Sequence, residues 1–487
     1  MAYTESYFSE FREKTIGRNK RIITPYGTPH LVYADWTASG RLYEDIEQTM
    51  RDKVGPYVAN THTEASFVGL AMTEAYEAAR SIISNHIGAN DEDVVLPCGT
   101  GSTGAINKLL RIMGLKVHER WKKYIRLSEN KRPVVFVTHM EHHSNHTSWL
   151  ETIADVVVLK PNEKGLVDPL SLENELQIYR NRRLKIGSFT ACSNVTGIRT
   201  PYRELAKIMH RHGGLCFVDF AASAPYDSVN MHPENLDERL DAIFFSPHKF
   251  LGGPGSAGIL AFHTSLYHNE VPDQPGGGTV NFTNPWGGRK YIEDIAMRED
   301  GGTPGFLQFI RAAMAVSLKE KIGVSAMNER DAVLTNRFIS VLKPIPGIRV
   351  FADAAENRLG IISFSAEGIH YNLFSKLLSD RFGIQTRAGC HCAGTYGHYL
   401  LEIDKTDSEA IKGKIDKGDF STKPGWIRLS LHPTMTDEEV RYMADAIAET
   451  VQTIEKYRED YTYNPLRNTF VHKRSGQRLN VKKWFML

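Results

Sequence analysis

The stretch Ala242-Ile-Phe-Phe-Ser-Pro-His-Lys249-Phe-Leu-Gly-Gly-Pro-Gly255 places a lysine after an apolar, strand-like run and just ahead of a glycine-rich turn. Strand ends that feed tight turns are where α/β folds hold their ligands. A lysine amine in that position can form a Schiff base with a carbonyl cofactor, a use that marks pyridoxal phosphate sites. Most lysines are solvated surface residues, so Lys249 gains meaning only from what accompanies it. A second run, Cys98-Gly-Thr-Gly-Ser-Thr-Gly-Ala-Ile-Asn107, falls between a strand pattern and a helical one. Backbone N–H groups at a helix N-terminus bind phosphate, and Ser102 and Thr103 add hydroxyls. An ordinary glycine turn with Ser and Thr as helix caps is the competing reading. Asp219 closes a third run, Leu215-Cys-Phe-Val-Asp219. A carboxylate after four apolar residues is costly unless paired. A protonated pyridine nitrogen is one such partner, and a helix N-cap is the alternative role. The histidines of Met140-Glu-His142-His143-Ser-Asn-His146 lack a clean metal-ligand spacing with cysteines. An imidazole stacked on a flat ring is an equally simple use for one of them, and no metal site is expected.

These residues need a scaffold, and the hydrophobic pattern supplies one. Strands are expected at 93–97, 133–138, 155–159, 184–191, 215–220, 242–246 and 257–262, rich in Val, Ile and Phe with little alternation, as in buried strands. Helical stretches near 71–86, 104–113 and 201–212 separate several of them, which predicts a mostly parallel seven-stranded sheet covered on both faces. A long helical region at 305–342 leads to a smaller α+β unit. Its expected strands are 348–352, 360–364 and 426–431, with helices near 370–381 and 436–458. The expected division is an N-terminal segment 1–32, a large domain 33–305, a small domain 306–460 and a basic tail 461–487 that packs on its own protein. Residues 120–132 read as a solvated helix with its loop. Residues 404–424, rich in Lys, Asp, Gly and Ser, read as a flexible excursion over the mouth of the site.

Composition narrows the class. Among 487 residues, 41% are hydrophobic and 24% charged, and 59 basic against 57 acidic side chains leave a formal charge of +2. That balance implies no polyanionic partner such as nucleic acid, and no apolar run reaches membrane-spanning length. Five cysteines at irregular spacing argue for free thiols in a reducing compartment rather than a disulfide framework. A cytoplasmic protein is expected, since the N-terminus has no signal-peptide pattern.

In this order, the strand-end motifs resemble those of the class V aminotransferases. The nearest pattern is the cysteine desulfurase and selenocysteine lyase branch, from Tyr33-Ala-Asp-Trp-Thr-Ala-Ser39 to about residue 438. The resemblance implies a pyridoxal phosphate enzyme of fold type I, aspartate aminotransferase-like, working as a homodimer with shared active sites. It implies that Lys249 holds the cofactor covalently, that Asp219 pairs with the pyridinium and that His142 stacks on the ring. Ser102, Thr103, Ser246 and His248 would hold the phosphate, and Thr303, in Asp300-Gly-Gly-Thr303-Pro, would reach a phosphate across the dimer interface. Asn194 would lie near the substrate carboxylate and the ring hydroxyl. Arg428, in Trp426-Ile-Arg428-Leu-Ser, would be the fork for the substrate α-carboxylate, a task that suits a planar guanidinium. Arg387 is the next candidate for that fork.

The loop Arg387-Ala-Gly-Cys390-His-Cys392-Ala-Gly resembles the one that bears the desulfurase nucleophile, with Cys392 at the catalytic position. A thiolate there would take sulfur from cysteine, leaving an enzyme persulfide and alanine, with carbon–selenium cleavage as the parallel case. Arg387 and His391 are the neighbours expected to lower its pKa. A sulfur-acceptor protein is then an expected partner beside the small amino-acid substrate. Three departures stand out: Ala222, with Ser223 beside it, where many family members carry glutamine, the continuation Gly394-Thr-Tyr-Gly-His398, and the insertion at 404–424. They keep a second reading open, in which the chain is an aminotransferase, epimerase or β-eliminating lyase acting on another amino acid.

Overall fold

The computed structural model describes residues 4–63, 65–99, 101–474 and 479–486. Thr100 of the glycine run, and 475–478 and Leu487 of the tail, lie outside the described residues. Two compact units form, one from Ala38–Ser193 and Ile198–Asn328, the other from Met1–Thr37, Asn194–Gly197 and Glu329–Leu487.

The first unit is built on seven strands: β1 Asp93–Cys98, β2 Val134–Thr138, β3 Asp155–Leu159, β4 Lys185–Thr190, β5 Leu215–Asp219, β6 Ala242–Phe245 and β7 Gly258–His263. Their order is β1-β7-β6-β5-β4-β2-β3. β7 runs antiparallel to both its neighbours, and every other pairing is parallel. Helices α1 Phe67–His86, α2 Gly101–Ile112, α3 His143–Leu150, α4 Pro169–Ile178 and α5 Tyr202–Arg211 accompany it. One core gathers Val135, Val137, Ile186, Phe217, Phe244 and Leu260 with Ile106, Leu109 and Trp149. Strands buried on both faces need no polar side, which is why the pattern lacked alternation.

The helical region expected at 305–342 is two helices, α6 Phe306–Ile322 and α7 Val324–Leu342. They break at Gly323, whose φ of +89° few other residues would accept. α6 stays with the sheet unit, where Phe309 packs on Tyr76 of α1 with ring centroids 5.1 Å apart.

The second unit holds an antiparallel sheet of β8 Ile348–Val350, β9 Ile361–Ala366, β10 Arg387–Gly389 and β11 Trp426–Ser430, in the order β8-β9-β11-β10. Ile362, Phe364, Ile427 and Leu429 pack there against α8 Tyr371–Phe382 and α10 Asp437–Arg458 through Phe374, Met443 and Ile447. α10 opens with a capping box of Thr436 and Glu439. The 404–424 segment is not a loop throughout: α9 spans Lys405–Ile415. Asp404 caps it by accepting the Asp407 N–H at 2.8 Å, and Lys412 and Lys414 sit in the last turn, so polar composition here encodes an exposed, well-capped helix. The tail begins with the hairpin β12 Tyr461–Asn464 and β13 Thr469–His472. It is tied to α8, with the Tyr461 hydroxyl donating to Asp380 at 2.9 Å. No helix among the described residues is long and apolar enough to cross a membrane.

Candidate functional site

In the sheet unit the motif residues converge on the strand ends. Gly101 starts α2 at φ +60°, and a Cβ there would stand 2.7 Å from Ser246 Oγ and 2.8 Å from the His248 ring. Only glycine leaves that space open. Ser102 donates its N–H to Ser246 Oγ at 2.9 Å, and the two hydroxyls lie 3.0 Å apart. The Thr103 hydroxyl, exposed, lies 2.6 Å from that of Ser144. Together Ser102, Thr103, Ser246 and His248 ring the N-terminus of a twelve-residue helix, a cup of donors that suits a phosphate. Burial, aided by the charge of Lys249, pushes His248 down to about 4, so it faces the cup as a neutral imidazole. Lys249 follows on the single turn Pro247–Lys249, half-buried. Thr303 is exposed and lines a cavity of about 550 Å³ in this unit, together with Thr103 and Asn107.

Asp219 ends β5 and is 3% exposed. Burial raises its pKa, against the pull of the Ala221 N–H, the Lys249 charge and Ser102. Its Oδ1 accepts the Ala221 N–H at 2.9 Å, which closes a turn and not a helix cap, since 221–226 form turns. A buried carboxylate under a desolvation penalty is a place where a ring N–H⁺ is welcome. Close by in the chain, Ser223 buries its hydroxyl with no hydrogen-bond partner among the described residues. His142 caps α3, its Nδ1 accepting the Ser144 N–H at 3.1 Å, which fixes the ring.

Glu141, beside it, is a residue the sequence reading passed over. Oε1 accepts from the Thr138 N–H and hydroxyl and from the Thr190 N–H, and Oε2 accepts from Asn145 at 2.7 Å. It thereby joins the ends of β2 and β4 to α3. Burial raises its pKa from 4.5 to about 8. The folded chain therefore keeps a proton that the unfolded chain releases, and stability falls as pH rises from about 4.5 to about 8, levelling off above. Glu141→Gln removes this titration. Between pH 5 and pH 8 the variant should gain on the wild type by up to about 4 kcal/mol, read from denaturant melts at both pH values. Parallel pH dependences would show that Glu141 is ionised throughout.

The second unit carries the cationic and thiol residues. In the β10–β11 register Arg387 sits opposite Arg428. Two cations facing each other repel unless an anion joins them, and Asp35 is that anion. Its Oδ1 takes Arg428 Nη2 at 2.9 Å and its Oδ2 takes Arg387 Nε at 3.0 Å. Arg428 is 3% exposed and also donates to the Asn194 carbonyl at 2.9 Å, while its Nε is buried without an acceptor among the described residues. Arg387 is exposed. Asp35 could have been found by the rule that singled out Asp219, because it too is a carboxylate amid apolar and aromatic residues.

The cysteine loop follows β10 as a tight turn. The Ala393 N–H bonds the Cys390 carbonyl at 3.0 Å, and His391 and Cys392 stand at φ +52° and +58°. Positive φ at both central residues is the type I′ pattern, at a cost of roughly 1–2 kcal/mol for each non-glycine residue. Cys392 is exposed and Cys390 half-buried. The charge of Cys392 acts on Arg428, and that of Cys390 on Tyr371, so the two thiols have different neighbours. His391 departs from expectation. Its ring is buried, Nε2 donates to the Trp426 carbonyl at 3.3 Å, and burial drives its pKa well below the usual value. The imidazole therefore stands beside the thiol as a neutral group. Asn194, expected beside a substrate, donates Nδ2 to the His391 carbonyl at 2.8 Å and keeps Oδ1 buried, with no partner among the described residues.

A mainly parallel seven-stranded sheet in one unit and a smaller antiparallel sheet in the other are the elements of the fold type I architecture. The chain belongs to the class-V aminotransferase family, whose sequence pattern matches residues 32–443. Among curated relatives it is 28% identical over 372 residues to a probable cysteine desulfurase of Halalkalibacterium halodurans, covering 75% of this chain and 85% of that one. A probable cysteine desulfurase of Staphylococcus epidermidis is likewise 28% identical, over 369 residues, 74% of this chain and 83% of that one. Among solved structures, the Escherichia coli cysteine desulfurase CsdA superposes with a TM-score of 0.71 at 22% identity, covering 91% of this chain and 98% of that one. The cysteine desulfurase of Thermococcus onnurineus gives 0.69 at 23% identity, covering 87% and 95%.

Proposed function

We propose that this protein is a pyridoxal phosphate-dependent cysteine desulfurase, cleaving the C–S bond of cysteine, or the C–Se bond of selenocysteine. The observation that carries the reading is the β10–β11 ladder. One strand bears the buried Arg428, and the other leads directly into the turn that exposes Cys392. An amino-acid carboxylate anchor and a soft nucleophile thus share one small sheet.

Pyridoxal phosphate, when bound, supplies an electron sink that weakens bonds around the α- and β-carbons of an amino acid. Lys249 would hold its carbonyl carbon, Asp219 its ring nitrogen and His142 its ring face. Ser102, Thr103, Ser246 and His248 would hold its phosphate, with Thr303 reaching the phosphate of a partner subunit in a homodimer. Arg428, steadied by Asp35, binds the substrate carboxylate through its planar fork. Cys392, as thiolate, forms the new S–S bond to the substrate sulfur. Cysteine and the enzyme thiol become alanine and the enzyme persulfide, with no external oxidant or reductant. An exposed Cys392 suits delivery of that sulfur to an acceptor protein, and free thiols fit a cytoplasmic setting.

Two measurements test this. Purified protein given pyridoxal phosphate and L-cysteine should release alanine and carry a persulfide on Cys392, seen by mass spectrometry. Alanine appearing only with a keto acid present would move the assignment to the transaminase reading. Separately, Gly101→Ala should fill the cup. Affinity of the cofactor-stripped protein for pyridoxal phosphate should fall by about 10–100-fold, the worth of one hydrogen bond to a charged group, in a fluorescence titration. Unchanged affinity would place the phosphate elsewhere.

A further inference from the structure

The turn bearing Cys392 holds two consecutive non-glycine residues in the left-handed region. Such a conformation persists only where its surroundings over-determine it. His391 is where they do. Its carbonyl is held by the Asn194 amide at 2.8 Å, its ring Nε2 by the Trp426 carbonyl at 3.3 Å, and its imidazole lies against the Trp426 indole with centroids 5.3 Å apart. The residue is 7% exposed, while the cysteine after it is exposed. A buried residue fixed at both backbone and ring, immediately before an exposed thiol, sets the direction in which that thiol leaves the turn. The same Asn194 whose side chain holds His391 offers its carbonyl to Arg428 at 2.9 Å, so the loop and the guanidinium share one support.

We propose that His391 is a positioning residue: clamped between Asn194 and the Trp426 carbonyl, it aims the Cys392 thiol and keeps Cys390 turned inward. The aim of Cys392 matters catalytically only on the desulfurase reading above, whereas the clamp itself does not depend on it. The ring acts through its N–H and its shape rather than its charge, since burial holds it neutral. A side chain that places an amide N–H where the imidazole Nε2 now sits should therefore replace it, and an apolar one of similar bulk should not.

The test reads thiol reactivity first and turnover second. Wild-type protein, as purified with cofactor, is pulsed with iodoacetamide, and each cysteine is followed by peptide mass spectrometry. Cys98, Cys192 and Cys216 are buried and serve as internal references. In the wild type Cys392 should label roughly tenfold or more faster than the half-buried Cys390, since alkylation follows exposure of the thiolate. His391→Leu should bring the two rates close together, and His391→Gln should restore the difference. Asn194→Ala, which frees the His391 carbonyl but keeps the ring, should shift the ratio in the same direction as leucine and stands in if the leucine variant does not fold. With L-cysteine, His391→Leu should lower kcat for alanine by roughly tenfold or more with KM little changed, as a misaimed nucleophile does, and the glutamine variant should recover most of it. A wild-type labelling ratio in both His391→Leu and Asn194→Ala overturns the clamp. A collapsed ratio with undiminished kcat overturns the positioning role. A wild type that forms no persulfide from cysteine sinks the desulfurase reading instead, and the labelling ratios then decide the clamp alone.

Discussion

Cys392→Ala is expected to bind L-cysteine and yet yield no alanine, a loss on the order of 10³-fold or more, as when an enzyme's nucleophile is deleted. Binding should survive because the groups to which the proposed function assigns the substrate are untouched. Arg428 keeps its bonds to Asp35 and the Asn194 carbonyl, neither of which involves the thiol. The substitution removes an exposed side chain, so the fold should be indifferent to it. Cys390→Ala is the control. That thiol is half-buried and neighbours Tyr371 rather than Arg428, so activity should stay within a few-fold of wild type. Alanine and persulfide, measured together after a cysteine pulse, decide between the two cysteines. Full alanine production by Cys392→Ala would end the desulfurase assignment for cysteine, although selenocysteine cleavage need not require the thiol. Production lost only in Cys390→Ala would move the nucleophile two residues upstream.

The sheet unit was legible because buried parallel strands announce themselves. All seven expected strands are present, and their ends at Asp219, Ser246 and Cys98 bring the marked residues to one edge. β10 was not legible. Arg387-Ala-Gly has no apolar run, and its pairing with β11 rests on backbone bonds and on Asp35, a partner 352 residues away in sequence. α9 was missed for the opposite reason, because a solvated helix with little buried face has the composition of a loop. The roles of Glu141 and His391 could not be read from spacing at all. Both depend on backbone groups of other segments, those of Thr190 and Trp426, which only the fold brings near. In each case the residue type was visible and the partner was not.

Lys249→Ala should abolish turnover while leaving the protein able to take up pyridoxal phosphate. The two effects separate because different atoms carry them. The cup proposed for the phosphate is made by the N-terminus of α2, Ser102, Thr103, Ser246 and His248, and the bonds that join Ser102 to Ser246 and Thr103 to Ser144 are made without the amine. Removing the lysine also removes the positive charge that helps depress His248, so that imidazole should titrate somewhat higher and bind a dianion no less well. Asp219 loses a favourable charge and is left under its burial penalty, which strengthens its demand for a ring N–H⁺. What disappears is the only amine in the Ser246-Pro-His-Lys249 turn able to hold the carbonyl carbon and to move protons at the reacting carbon, a contribution of about 10²–10⁴-fold for proton transfer alone. The wild type should be yellow and retain the cofactor after borohydride reduction and denaturation, with the modified peptide containing Lys249. The variant should bind the cofactor in dialysis but release all of it on denaturation after the same treatment. Cofactor retained covalently by Lys249→Ala would place the attachment on another lysine, and the phosphate cup with Asp219 would then have to serve a different ligand.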